Sequence, residues 1–235
     1  LRQAVRAYPY SLASTLFGLS LLLYLGVRLI GLTEFPIYFF TDEAVQTVLA
    51  ADLLRDNFKG ADQVFLPTYF ENGGQYNLSL SVYLQVIPYL LFGKSVFVTR
   101  LTSVLVTLGA AFCLGLILRD FFQVTYWWSG VMLLSMAPAW FLHSRTAFES
   151  VLFTSLYCGF LYAYLLYRNR SPRYLYLALV IAALAFYAYS PGQMVMLVTG
   201  VLLFITDIRY HWANRAVALR GAGLLVLLAL PYLRF

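Results

Sequence analysis

The residues able to do chemistry gather at a few places in this chain. Asp42 and Glu43 stand side by side at the start of a helical pattern, Asp42–Lys59, just after the first long apolar run. A carboxylate held at a membrane surface is partly desolvated, which raises its pKa toward that of a useful general base, able to take a proton from a hydroxyl. Adjacent residues point in different directions on a helix, so only one of the two fits that role. The plainer alternative is that both acids decorate a helix start, where the dipole favours them and Thr41 caps the first turn.

A second group lies in His143-Ser144-Arg145-Thr146-Ala147-Phe148-Glu149. A guanidinium is matched to phosphate, so Arg145 fits an anion, and Glu149 fits a sugar hydroxyl or support for Asp42. The alternative has His143 and Arg145 anchoring at headgroups, with Arg145 and Glu149 paired four residues apart. A third group is Tyr187-Ala188-Tyr189-Ser190-Pro191-Gly192-Gln193. Pro191-Gly192 breaks a helix, and Tyr189 and Ser190 at such a break either line a cavity or form a plain interfacial turn. Lys94 and Arg100 flank the second span and either snorkel or neutralise a leaving phosphate. Glu71, Asn72 and Gln75 complete the polar set. Asn77-Leu78-Ser79 matches a glycosylation acceptor pattern but falls on an amphipathic helix and is discounted.

The elements that must position these residues are membrane helices. Of 235 residues, 62% are hydrophobic and 11% charged, with a mean hydropathy of +0.76. A soluble domain has about 25% charged residues, so a soluble fold, a disordered chain and a disulfide scaffold are all excluded. The net charge of +6 is spread without a dense basic run, so basic residues report topology and nucleic acid is not an expected partner. Cys113 and Cys158 lie in apolar runs and read as fillers. Nothing in the spacing of His, Cys, Asp and Glu demands a metal or other cofactor. A divalent metal beside Asp42 and Glu43 is chemically conceivable.

A span needs about 20 apolar residues. The expected spans are Ser11–Leu32, Val98–Leu118, Val124–Leu142, Val151–Tyr167, Tyr174–Tyr189, Gly192–Thr206 and Ala216–Arg234. Tyr76–Gly93 is read as an interfacial or re-entrant helix, because Asn77, Ser81 and Gln85 repeat every four residues along one face. Parity agrees with that reading. With seven crossings, Arg2, Arg6, Arg119, Arg168, Arg170, Arg173, Arg209, Arg215 and Arg220 share the cytoplasmic side, as the positive-inside rule asks. Glu34, Asp42, Glu43, Asp52, Asp56, Asp62, Glu71 and Glu149 share the other. The expectation is an all-α, polytopic membrane bundle forming one module over residues 1–235 and continuing past Phe235. Residues 33–97 form the first extracytoplasmic loop. In that loop Ala44, Val48, Ala51, Leu54 and Phe58 make the apolar face of a surface helix, Asp62–Gln75 is a flexible connector, and Tyr76–Gly93 is a second juxtamembrane helix.

The chain resembles the polyprenyl-phosphate-sugar-dependent glycosyltransferases of the GT-C superfamily, within it the protein O-mannosyltransferase and aminoarabinose transferase-like group. The resemblance is carried by Phe39-Phe40-Thr41-Asp42-Glu43-Ala44, by Leu91-Phe92-Gly93-Lys94-Ser95-Val96-Phe97-Val98-Thr99-Arg100-Leu101, by Met136-Ala137-Pro138 through Ser144-Arg145 to Phe148-Glu149, and by Tyr189-Ser190-Pro191. It implies an inverting glycosyltransferase in the cell membrane, with its active site on the extracytoplasmic side. It further implies a polyprenyl-phosphate-linked sugar donor, an acceptor that is a protein, lipid or glycan, and Asp42 as the base. Glu149 corresponds to a second acidic position, and membrane lipid is the surrounding partner. Where many relatives open the second juxtamembrane helix with Lys-Pro-Pro or His-Pro-Pro, this chain has Gln75-Tyr76-Asn77-Leu78. Two other classes remain open from the residues themselves: a transporter or flippase of lipid-linked sugars, and a non-catalytic membrane scaffold.

Overall fold

The computed structural model describes residues 10–234 as a helical bundle with a single small hairpin. Arg2 and Arg6, assigned above to the cytoplasmic side, lie outside the described residues. Among the described residues, four helices are long and apolar enough to cross a membrane: α1 (Tyr10–Leu29), α4 (Val96–Asp120), α7 (Glu149–Asn169) and α11 (Arg215–Ala229), the last extended to Leu233 by a 3₁₀ turn. At 1.5 Å per residue, the 25 residues of α4 reach roughly 37 Å, beyond the ~30 Å of hydrocarbon. The other expected spans are shorter. The third is two helices, α5 (Ser129–Met136) and α6 (Pro138–His143), because Pro138 has no N–H to continue the ladder. The fifth and sixth are α8 (Tyr174–Phe186) and α9 (Ser190–Thr206), and a short α10 (Ile208–Ala213) joins α9 to α11.

The two ends of the bundle differ in their polar groups. One end is marked by Asp120 and Asp207. Asp120 pairs with Arg119 and accepts from the Tyr162 hydroxyl, while Asp207 pairs with Arg168 and accepts from the Tyr164 hydroxyl. The other end holds Glu43, Arg100, Arg145, Glu149 and Tyr187. The helix of residues 79–92, α3 (Ser79–Phe92), stays there: Ser81 near its start meets Glu149, and Gln85 meets Thr99 of α4. It does not cross.

Two expectations about the first loop are corrected. Asp62–Gln75 is not a featureless connector. Tyr69–Asn72 (β1) and Gln75–Leu78 (β2) pair antiparallel about Gly73-Gly74, both with φ above +55°, which glycine adopts without a Cβ penalty. Tyr76, Asn77 and Leu78 are therefore strand, and α3 begins at Ser79. The second correction concerns α2 (Thr41–Arg55). Its buried side is not the apolar stripe of Ala44, Val48 and Ala51 but Glu43, Gln46, Thr47, Ala50 and Leu53. Polar groups can be buried there because α4 and the α6–α7 turn supply hydrogen-bond partners. Phe40, not Thr41, is the N-cap.

Three apolar clusters hold the bundle. α7 and α8 pack through Leu152, Phe160, Ala163, Tyr167, Ala178 and Ala185. α1, α4 and α5 meet at Phe17, Tyr24, Ala111, Trp127 and Val131, where a Cβ on Gly115 would run into the Phe17 ring. α2, α3 and the hairpin share Ala50, Leu53, Phe70, Val82 and Val86. Large side chains such as Leu22, Leu133, Leu197, Leu202, Phe204 and Val226 face outward. In water that surface would be a liability; in a bilayer it is the lipid-facing coat.

Candidate active site

The acids of the first loop separate into two kinds. Glu43 is fully buried. Its Oε2 accepts from Arg100 Nε at 3.0 Å and from the Ala147 backbone N–H at 3.1 Å. Its Oε1 accepts from Arg100 Nη2 at 3.1 Å and reaches back to the Phe40 N–H at 3.3 Å. Every lone pair has a donor, so Glu43 is a strut between α2, α4 and the α6–α7 turn. Asp42, one residue earlier, is exposed. The same anchorage that fixes Glu43 aims Asp42 outward, because successive helical side chains diverge by about 100°.

Glu149, the first residue of α7, is half-buried and accepts from Ser81 Oγ at 3.3 Å. It lies within electrostatic range of the Asp42 carboxylate. Burial, more than the Asp42 charge, pushes the Glu149 carboxyl up to about 7. Phe40 and Phe148 pack beside these two acids with ring centroids 5.4 Å apart. His143, at the end of α6, is exposed, with its ring 6.2 Å from Phe148. Tyr189 packs on Phe153, one turn beyond Glu149, and Ser190 opens α9 as an exposed residue. A Cβ on Gly192 would strike the Phe153 ring, so glycine is what lets α9 start this close to α7.

Arg100 and Arg145 have different work from that expected of them. Both are buried. Arg100 adds to its Glu43 contacts the carbonyls of Leu32, Pro36 and Tyr38, at 3.0, 3.0 and 2.8 Å. Arg145 donates to the carbonyls of Phe35, Val27, Ile30 and Gly31 at 2.7–3.0 Å. Together they satisfy the backbone that leaves the end of α1, where no helix or sheet partner is available. With their N–H groups so engaged, neither guanidinium presents a fork to a phosphate. Lys94, in the bend just before α4, is exposed.

Two further residues, Gln46 and Arg28, brace the site. Gln46 donates to the Ala147 carbonyl at 2.6 Å and, with Glu43 on the Ala147 N–H, clamps that peptide from both sides. Nothing in its type or spacing singles it out. Arg28 is fully buried at the end of α1 beside Ser144, Ser135 and the Tyr24 ring. A charge inside an apolar run was the available signal for it. Among the described residues, no group of three or more His, Cys, Asp or Glu side chains is placed to hold a metal ion.

No curated protein and no solved structure matches the chain. A family sequence profile does, over residues 80–235, which takes in α3 to α11 with Arg100, Arg145 and Glu149 but not Asp42 or Glu43. With its membrane-spanning helices, the match makes the protein a membrane glycosyltransferase of the GT-C type. The chain belongs to the dolichyl-phosphate-mannose-protein mannosyltransferase family.

Proposed function

We propose that the protein transfers a sugar, with inversion, from a polyprenyl-phosphate donor to an acceptor hydroxyl at the extracytoplasmic surface, with Asp42 as the base. The observation that carries this is the contrast between neighbouring carboxylates. Glu43 is locked by Arg100 and a backbone N–H, whereas Asp42 is exposed, and its charge is felt by Glu149. A base needs access to the proton it takes; Asp42 has it and Glu43 does not.

In this reading the acceptor oxygen attacks the anomeric carbon as Asp42 takes its proton. The bond from that carbon to the lipid phosphate breaks, and the phosphate leaves with the electron pair. Glu149 orients a sugar hydroxyl. Lys94 supplies the contact to the departing phosphate. Arg28, Arg100 and Arg145 outnumber Glu43 in the buried layer beneath, so positive potential favours the charge that builds on the leaving group. The side is argued from charge. Arg168, Arg170, Arg173, Arg209, Arg215 and Arg220 follow the far ends of the spans, so the Asp42 end is extracytoplasmic.

The test is transfer of radiolabel from a polyprenyl-phosphate sugar by the protein in lipid, wild type against Asp42→Asn. General-base loss costs ~10²–10⁴ in rate, so label stays on the donor in the variant. Equal transfer by both would remove Asp42 from the mechanism. Label crossing the bilayer with its lipid bond intact would identify a transporter instead.

A further inference from the structure

The mechanism does not use the segment between α1 and α2. Phe35-Pro36-Ile37-Tyr38-Phe39-Phe40 carries no charge, and all of its residues except Pro36 are exposed. Ile37 and Tyr38 stand furthest out, at 80% and 75% exposure. The backbone explains why these side chains point away from the protein. Arg100 donates to the carbonyls of Pro36 and Tyr38, and Arg145 donates to that of Phe35. The polar side of the segment is thereby turned inward and held. Phe35 rests on Phe141, Phe40 rests on Phe148, and the Arg100 guanidinium lies 5.6 Å from the centre of the Phe39 ring. The result is a braced apolar ridge with Ile37 and Tyr38 at its crest.

What flanks the ridge sets its level in the membrane. The 20 residues of α1 reach roughly 30 Å, the thickness of the hydrocarbon, so the chain leaves α1 at the membrane boundary. Leu19, Leu22 and Leu23 of α1, with Ile30 just past its end, are exposed and belong to the lipid-facing coat, and the ridge follows them directly in the chain. Glu34 before the ridge and Asp42 after it are exposed acids, which hydrocarbon excludes. The segment therefore dips and returns. A tyrosine at the crest suits that depth, since its ring is apolar and its hydroxyl reaches the headgroups.

We propose that residues 35–40 are a membrane wedge, with Ile37, Tyr38 and Phe39 inserted among the lipids of the leaflet at the Asp42 end, and that this insertion fixes the depth of Asp42. The second half rests on the transferase reading above: a base must work where the donor's phosphate lies, which is the headgroup layer. One guanidinium nitrogen couples the wedge to the base. Arg100 Nη2 donates to the Tyr38 carbonyl at 2.8 Å and to Glu43 at 3.1 Å, so the crest and the first turn of α2 move as one. Lipid is favoured over a second copy of the chain because a stable protein interface uses about 20–30 residues a side, whereas the ridge is one short segment closed off by Glu34 and Asp42. Insertion also orders little, because the two arginines already fix the backbone.

The probe is a nitroxide on a single cysteine, in the full chain carrying Cys113→Ala and Cys158→Ala, in phosphatidylcholine nanodiscs. Its access to oxygen, which partitions into lipid, is compared with its access to a water-soluble nickel chelate. Labels on Ile37→Cys and Tyr38→Cys should favour oxygen, and one on Asp62→Cys, an exposed position of the same loop, should favour nickel. A label on Thr41→Cys should shift toward nickel when Ile37→Ser and Tyr38→Ser are added. The unfolding midpoint should stay unchanged, which separates a change of depth from damage to the fold, and sugar transfer by the Ile37→Ser, Tyr38→Ser protein should fall. Nickel access at 37 and 38 equal to that at 62 would overturn the wedge. Protection from both reagents would put a second protein chain on the ridge instead, and an unshifted label at 41 would overturn the depth role. Transfer by wild type and Asp42→Asn is measured in the same discs. Oxygen-favouring labels with no transfer by either protein would sink the transferase reading and leave the wedge standing.

Discussion

The guanidinium of Arg100 holds both carboxylate oxygens of Glu43, at 3.0 and 3.1 Å, in a pair with no solvent exposure on either side chain. The pair joins the start of the first-loop helix to the second spanning helix. A buried pair of this kind costs about 3–5 kcal/mol to break from one side, because the survivor is left charged and uncompensated. Arg100→Met and Glu43→Gln should each lower the unfolding midpoint sharply. The double variant should lose less than the sum of the two, and a thermal-unfolding cycle on the four proteins checks this. Additive losses would mean that the pair acts independently of its charges.

Arg145→Lys should be damaging although it keeps the charge. Arg145 serves four carbonyls of the chain between Val27 and Phe35 through a planar fork, and an ammonium has neither that spread nor enough donors. Each carbonyl left buried and unpaired costs about 1–3 kcal/mol. Limited proteolysis should then open residues 30–40 in the variant and spare them in the parent.

Gly192→Ala should displace the start of α9. The added methyl meets the ring of Phe153, and overpacking of this kind costs roughly 1–3 kcal/mol. Phe153→Leu in the same chain should restore part of the loss. If Gly192→Ala alone leaves the unfolding midpoint unchanged, the close approach of α9 to α7 is not as tight as described.

At the far end, acid should loosen the α7–α10 contact. His211 is stacked between Tyr167 and Phe204, with Nδ1 2.8 Å from the Tyr167 hydroxyl. Burial holds its pKa below the ordinary 6.5, with Arg168 adding to that and Asp207 opposing it. The unfolded chain therefore binds the proton first. His211 costs the fold nothing above about pH 7, and stability falls as pH drops through 6.5 toward the lowered folded value. His211→Gln should flatten that part of an unfolding profile measured from pH 8 to 5; an unchanged slope would assign the acid sensitivity elsewhere.

The membrane helical bundle and the grouping of Asp42, Glu149 and the Tyr189 turn at one end were legible in the sequence. They depend on quantities that add along the chain: apolar length, the spacing of breaks such as Pro138 and Pro191-Gly192, and the side on which arginines collect. Which of two adjacent acids is free was not legible, because Asp42 and Glu43 differ only in what lies across the space from them. Arg100, fifty-seven residues on, and the Ala147 N–H decide it. The same holds for Arg100 and Arg145 as braces and for the polar face of α2 turning inward. A charged or polar side chain is expensive to bury until its partners are in place, and those partners come from other helices, so only the tertiary structure could assign its role.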